Sequence, residues 1–150
     1  MGRARPMPPH ERDGGHETFE HTADVGVRVW GRTLEELFEQ AAAGLIETMI
    51  DPSSVRERDR VSVSAEGPGS EDLLVAWLEE VLFAFEGRGF APAAARVERM
   101  VEGRLEGTLS GEAFDRRRHR VRSEVKAVTY HDLVIKGTPQ GLEVRIIFDV

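Results

Sequence analysis

The 150-residue sequence contains no cysteine. This absence excludes disulfide bonds, thiolate metal sites and cysteine nucleophiles, and it agrees with a protein of the reducing cytoplasm. No apolar run reaches the roughly 18–20 residues that a transmembrane helix needs, and residues 1–17 lack the apolar centre of a signal peptide. We therefore expect a cytoplasmic protein that does not associate with membranes.

The sequence also lacks an excess of positive charge. Its 20 Lys and Arg residues against 27 Asp and Glu residues give a formal net charge of −7. This charge opposes diffuse adhesion to a phosphate backbone, so no stable direct binding of nucleic acid is expected. The one basic cluster, Arg116–Arg122 (RRRHRVR), has no interleaved aromatic residues for base stacking. A solvated loop is the favoured interpretation, and contact with RNA or an acidic protein is the alternative.

Recognisable catalytic motifs are missing as well. There is no glycine-rich phosphate-binding loop, and no Ser, His and Asp set stands in a nucleophile context. An enzyme with independent activity therefore has little support from the residues.

What is present fits one folded domain. Residues 1–17 are rich in Pro, Gly and charge, which predicts a disordered tail that contains His10 and His16, and residues 18–150 form a single domain. Val25, Val27 and Val29 alternate with polar or small residues, as in a half-buried strand.

Two amphipathic helices follow this strand. Thr33 and Glu36 predict a capping box at the start of the first helix, and Ser70 is expected to cap the second, which ends at Gly87. Further strands are predicted at about 61–66, 96–102, 104–110, 122–130, 132–136 and 142–149. The order β-α-β-α followed by strands indicates an α+β fold, with two helices on one face of a largely antiparallel sheet.

Carboxylates stand at both ends of the predicted domain. Asp24, in the stretch FEHTADVGVRVWG, precedes the first strand, and the terminal stretch GLEVRIIFDV places Asp149 beside the α-carboxylate of Val150. Such oxygen ligands would suit Ca²⁺, Mg²⁺ or Mn²⁺ better than zinc. Spacing does not show that these groups meet, and the residues alone favour solvated carboxylates over a metal site.

Several stretches together resemble the archease family, in order, over nearly all of residues 18–150. They are FEHTADVGVRVWGRTLEELFEQAAAGLIETMIDPSSV, LLVAWLEEVLFAFE, EVKAVTYHDLVIK and the terminal IIFDV. The family commonly has Tyr where this sequence has Phe19, which conserves the aromatic ring and loses a hydroxyl.

The resemblance implies an accessory protein of the GTP-dependent RNA ligase that joins tRNA halves. The expected role is to promote guanylylation of the ligase and its multiple turnover, without enzymatic activity of its own. The family's metal site maps onto Asp24, Asp149 and Val150, with Ca²⁺ as the expected ion and Mn²⁺ or Mg²⁺ as alternatives. The alternative function is a metal-dependent chaperone or binding module that takes no part in its partner's chemistry; a small metal-dependent hydrolase is a third.

Other polar residues have two interpretations each. Lys126 is expected on a polar strand face, where it meets either a ligase carboxylate or phosphate, or only solvent. His21 either orients Asp24 or caps a turn. Structural roles are favoured for Asp51, at a helix end, and for Tyr130 and His131, at a strand junction.

Overall fold

Two antiparallel sheets and two helices form the fold in a computed structural model that describes residues 14–21 and 24–150, without the side chains of residues 20 and 21. The strands are β1 (Gly15–His21), β2 (Asp24–Gly31), β3 (Asp59–Glu66), β4 (Phe90–Val101), β5 (Arg104–Ala113), β6 (Ala127–Val128), β7 (Lys136–Thr138) and β8 (Gly141–Asp149). The helices are α1 (Leu34–Met49) and α2 (Ser70–Glu86), and Pro52–Ser54 forms a short 3-10 helix. The predicted α+β class is confirmed.

The strands divide into two sheets, where the sequence predicted one. The first sheet has the order β1-β2-β8-β6, and β7 also pairs with β8. The second has the order β3-β5-β4. Every strand pair of the described residues is antiparallel. Strand β8, the last along the chain, is therefore central in the first sheet.

Helix α1 contacts both sheets through β2 and β4. Its stripe of Leu37, Phe38, Ala41 and Leu45 is fully buried, as the 3.6-residue spacing predicts. Thr33 is the N-cap, and its hydroxyl accepts a 3.1 Å hydrogen bond from the Glu36 amide. The Glu36 carboxylate accepts from the amide of Arg32, one residue upstream of the expected Thr33. The first half of the predicted capping box is thus confirmed.

Helix α2 is fixed to α1 by the Trp77 side chain, whose indole N–H donates a 2.9 Å hydrogen bond to the Phe38 carbonyl. The prediction that Ser70 caps this helix is wrong. Gly69 occupies the N-cap position with no side-chain cap, and Ser70 is the first helical residue. The helix ends before Gly87, as predicted, and the Gly87 amide donates to the Phe83 carbonyl at 2.7 Å. Among the described residues, no helix combines the length and apolarity needed to cross a membrane.

Strand β1 corrects the predicted boundary of the tail. It begins at Gly15 and pairs with β2 along its whole length, so residues 15–17 belong to the sheet. The imidazole of His16 contacts the side chains of Gln40 and Glu47 on α1, so its interpretation as a solvated tail residue is wrong. Residues 1–13, including His10, lie outside the described part of the chain.

The stretch 114–135 contains far less strand than predicted. Only Ala127–Val128 of the predicted strand 122–130 is strand, and β7 begins at Lys136, at the end of the predicted 132–136. Val125 and Val128 are both buried, and a spacing of three does not fit the alternation of a strand. Hydrogen bonds to the end of α1 fix this stretch instead: Arg122 N–H to Met49 O at 2.8 Å, and Ser123 N–H to Thr48 O at 3.1 Å.

Candidate functional site

The pairing of β2 with β8 brings the strand ends that carry Asp24 and Asp149 to the same end of the first sheet. The ladder between these strands reaches the pair Val25 and Phe148. The same register, continued by one residue beyond this pair, would place Asp24 opposite Asp149. Directly opposed residues of antiparallel strands share a face, with Cα atoms about 4.5–5.5 Å apart. The two carboxylates therefore belong to neighbouring positions on one face of the first sheet.

The donor set of this face consists of carboxylate oxygens. Asp24 is partly buried and Asp149 is exposed. Oxygen donors of this kind suit Ca²⁺, Mg²⁺ or Mn²⁺. Among the side chains that the structure describes, which do not include those of Glu20 and His21, no three His, Asp or Glu groups are placed to hold a metal ion together. A cation bound between Asp24 and Asp149 would therefore need further oxygens from the main chain or from water.

Lys126 and Val150 lie beside Asp149. Ala127 pairs with Asp149, and the Lys126 N–H donates a 2.7 Å hydrogen bond to the Asp149 carbonyl. The Lys126 side chain is exposed, as expected. It does not project from a strand face, because β6 begins only at Ala127, and the buried Val128 interrupts the predicted polar alternation. Val150 is half-buried and packs against the core.

A cleft of about 380 Å³ opens beside Asp24. The end of α1 supplies Glu47 and Thr48 to its wall, and the following loop region supplies Arg122 and Ser123. The Arg122 guanidinium donates a 3.0 Å hydrogen bond to the Glu47 carbonyl, which joins the two walls. The remaining lining residues are Thr18, Phe19 and Val25. Asp24 is therefore accessible from a cleft of mixed charge.

His21 pairs with Asp24 through the backbone of the β1–β2 ladder. Its side chain is outside the described part of the structure, so its role in orienting Asp24 stays a prediction.

Asp51 has the structural role that the sequence favoured. Its carboxylate accepts from the Ser53 hydroxyl at 2.7 Å and from the Ser53 amide at 3.0 Å, at the start of the 3-10 helix. These two hydrogen bonds, with weaker attraction to Arg122 and Arg120, hold the pKa of Asp51 below its usual value. The carboxylate is thus engaged in a cap.

Tyr130 and His131 lie in the turn after β6. The His131 N–H donates to the Thr129 hydroxyl at 3.3 Å, and its imidazole lies 3.3 Å from the Asp132 carboxylate. Partial burial of the Tyr130 hydroxyl raises its pKa, and the neighbouring Asp72 carboxylate raises it further. These local contacts agree with the structural interpretation of both residues.

A buried polar network lies within the basic cluster, and the sequence did not predict it. The buried Glu112 carboxylate accepts hydrogen bonds from the Arg56 amide at 2.9 Å and from the Arg118 guanidinium at 2.6 Å. The buried His119 imidazole lies 2.9 Å from the same carboxylate through Nε2. Its Nδ1 accepts from the Asp115 amide at 2.9 Å, which requires the proton to sit on Nε2.

This network holds the pKa of Glu112 at about 2, chiefly through the Arg56 amide, then through His119 and Arg118. The interpretation of Arg116–Arg122 as a solvated loop is therefore wrong for His119, although Arg116 and Arg117 are exposed. No periodicity marks Glu112 or His119. The only signal in the sequence is that two carboxylates, Glu112 and Asp115, directly precede the basic cluster.

Comparison with known proteins gives a consistent result. The archease protein family matches residues 16–150. A protein archease of Thermococcus gammatolerans is 44% identical over 128 residues, which is 83% of this chain and 90% of the relative. A protein archease of Sulfurisphaera tokodaii is 35% identical over 136 residues, 89% of this chain and 97% of the relative. The solution structure of Methanobacterium thermoautotrophicum protein 1598 superposes with a TM-score of 0.71 at 34% identity, covering 91% of this chain and 99% of that one.

Proposed function

Because the chain belongs to the archease family, we propose that it is an accessory protein that activates a GTP-dependent tRNA-splicing RNA ligase. In this proposal it promotes guanylylation of the ligase and its multiple turnover, and it catalyses no reaction alone. Family membership supports the accessory role. The single observation that supports the proposed site is the β2–β8 register, which pairs Val25 with Phe148 and, continued by one residue, would bring Asp24 beside Asp149.

The proposed site consists of Asp24, Asp149 and the main-chain carboxylate of Val150. Asp24 and Asp149 are separated by most of the chain, and two adjacent carboxylates repel each other when both are ionised. A bound divalent ion, Ca²⁺ first and Mn²⁺ or Mg²⁺ next, would neutralise this repulsion and supply positive charge at the docked face. The oxygen donor set supports these ions over zinc.

Lys126 supplies the second part of the proposed mechanism. Its backbone is anchored to the Asp149 carbonyl at 2.7 Å, and its ammonium group is exposed. In guanylylation a ligase histidine bonds to the α-phosphorus of GTP while the bond to pyrophosphate breaks, and negative charge develops on the leaving pyrophosphate. A positive group held rigidly at the ligase's reaction centre stabilises that developing charge without reorganising water. Asp149 thus positions Lys126 as well as contributing an oxygen ligand.

Labelling of the ligase with radioactive GTP tests the proposal, because it measures guanylylation directly. We expect Asp24→Asn to reduce the activation of labelling at least tenfold and to weaken Mn²⁺ binding, since one anionic ligand is lost. Lys126→Ala should reduce activation and leave Mn²⁺ affinity unchanged, and Lys126→Arg should recover part of the activation. Glu106→Gln removes an exposed carboxylate from β5 and serves as the matched control.

Three outcomes would contradict the proposal. Equal activation by the Asp24→Asn protein and the Glu106→Gln protein, both folded by circular dichroism, would remove Asp24 from the site. Unchanged labelling of the ligase in the presence of the wild-type protein, with improved ligase solubility or heat resistance, would instead favour the metal-dependent chaperone. Hydrolysis of RNA or GTP by the protein alone would identify a hydrolase.

A further inference from the structure

The fold gathers positive charge on one surface of a protein whose net charge is negative. Residues 56–60 (RERDR) and 112–122 together contain eight arginines against four carboxylates, a formal charge of +4. The complete chain carries −7, which leaves −11 for all other residues. At physiological salt, charges more than about 8 Å apart are largely screened. A ligand at this surface therefore experiences the local positive charge.

Backbone hydrogen bonds bring the two arginine-rich stretches together. Asp59, at the start of β3, pairs with Gly111 of β5. Beyond this pair, the Arg56 amide donates to Glu112, and the Arg120 amide donates to the Ser54 hydroxyl at 3.1 Å. Neither stretch alone has more than five arginines, so the basic surface depends on the tertiary fold.

A cleft of about 640 Å³ lies between the two stretches, and its charged lining residues are Arg58, Arg116 and Arg118 with the carboxylates of Asp59, Glu112 and Asp115. We name it the arginine cleft, because the exposed arginines beside it make the surrounding surface positive. Arg118 is paired with Glu112 at 2.6 Å. The guanidinium groups of Arg58 and Arg116, and of the flanking Arg56 and Arg117, are exposed and make no hydrogen bond or ion pair within the described part of the chain. Four guanidinium groups are thus available to an anion.

The buried Glu112 network holds one wall of the cleft in place. Glu112 binds Arg56 on one stretch and both Arg118 and His119 on the other. The His119 ring also accepts from the Asp115 amide. Because these contacts are buried or partly buried, they hold the backbone that carries Arg116 and Arg117 in place before any ligand binds, and less conformational entropy is lost on binding.

We propose that the arginine cleft binds the phosphate backbone of a nucleic acid, without base specificity. Guanidinium groups match phosphate oxygens in geometry and charge. Ala113 and Phe114 are the apolar lining residues, and the Phe114 ring packs edge-on against Phe85 at 5.2 Å between ring centroids. Because the lining has no free aromatic ring, it offers no stacking surface for bases. Contacts with the phosphate backbone of the nucleic acid are therefore expected to dominate.

A protein partner fits this surface less well. Protein interfaces are anchored by buried aromatic or aliphatic side chains at their centre, and the centre of the arginine cleft offers only charged and polar groups beyond Ala113 and the packed Phe114. Binding of an acidic protein is therefore the alternative, and the experiment below tests it with an acidic polypeptide.

Fluorescence anisotropy with a labelled 20-nucleotide RNA of mixed sequence tests the proposal over a series of NaCl concentrations. Each phosphate contact with a single strand contributes about 0.7 to the slope of log K against log salt. We expect R58Q/R116Q to weaken binding about tenfold at 50 mM NaCl and to reduce the slope by about 1.4. R58K/R116K keeps both charges and should retain most of the slope.

The matched control is R99Q/R104Q, which removes the same charge from the opposite end of the second sheet, where Arg99 pairs with Glu106 and Arg104 with Glu66. We expect this control to retain the wild-type slope. DNA of the same sequence should bind with a similar slope.

Three results would overturn the proposal. One is the absence of anisotropy change at 50 mM NaCl for wild-type protein. Another is equal weakening by the cleft variant and the control variant. The third is tighter binding of polyglutamate than of RNA with the same number of charges, which would assign the cleft to an acidic protein. Thermal melts confirm that each variant is folded.

Discussion

Glu112 is a buried carboxylate that stays ionised because three donors satisfy it. Its pKa is about 2 in the folded protein and 4.5 in a free side chain. A lowered folded-state pKa means that the ionised group stabilises the fold at pH values above about 4.5. This contribution is lost as the pH falls from about 4.5 towards 2.

We therefore expect Glu112→Gln to lower the Tm at pH 7. The neutral Gln amide has no negative charge to offer the Arg118 guanidinium and accepts hydrogen bonds through one oxygen only. Between pH 5 and pH 3, the Tm of the wild-type protein should fall more steeply than that of the variant. Thermal melts by circular dichroism across this range measure both effects. Glu106→Gln, on the same strand, is the control, and parallel Tm curves for the Glu112 variant and wild type would show that Glu112 is not the titrating group.

At the scale of elements, the sequence predicted those helices and strands whose apolar residues recur regularly. The stripes of α1 and α2, and the alternation in β2 and β8, are visible without a structure. Strand β1 (GHETFEH) contains Phe19 as its only large apolar residue, so no alternation was detectable. It is held by backbone pairing and by the Phe19 ring, which covers Gly26 of β2.

The close contact of Phe19 with Gly26 gives a test of how β1 is attached. A Cβ atom at position 26 would lie 2.3 Å from the Phe19 ring, and the ring is held under the Arg145 guanidinium at 4.5 Å. We expect Gly26→Ala to reduce the free energy of unfolding by about 1–3 kcal/mol, as overpacking does. Urea unfolding measures this change.

A double-mutant cycle supplies the control for this prediction. In a Phe19→Ala background the ring is absent, so the additional effect of Gly26→Ala should be small. If the changes in the free energy of unfolding were fully additive, the destabilisation by Gly26→Ala would not come from a contact with Phe19.

At the scale of the whole molecule, the proposed alignment of Asp24 with Asp149 rests on the pairing of β2 with β8, two strands separated by almost the entire chain. The residues could be selected from the sequence as carboxylates at strand ends. Their proximity could not, because a shift of one residue in the β2–β8 register would move every side chain to the other face. The Glu112 network could not be predicted either, because Arg56 is far from Glu112 and His119 in the sequence and meets them only in the folded protein.

Extending the chain beyond Val150 tests the proposed contribution of its main-chain carboxylate. An appended Gly-Ser-Gly segment converts this carboxylate to an amide and preserves the Val150 side chain in the core. We expect the extended protein to melt at the wild-type Tm, to bind Mn²⁺ at least tenfold more weakly by calorimetry, and to lose ligase activation. The same segment placed before Met1 should change neither Mn²⁺ binding nor ligase activation. Equal Mn²⁺ affinity in the two extended proteins would exclude the carboxylate as a ligand.

The central position of β8 has a consequence for biosynthesis. The second sheet lies entirely within residues 59–113, so its three strands can pair while the ribosome is still translating the rest of the chain. In the first sheet, β2 and β6 are not hydrogen-bonded neighbours, and β8 lies between them. We therefore expect the β1–β2 hairpin to keep an unpaired strand edge until β8 has been synthesised, and an unpaired edge of this kind favours aggregation of the nascent chain.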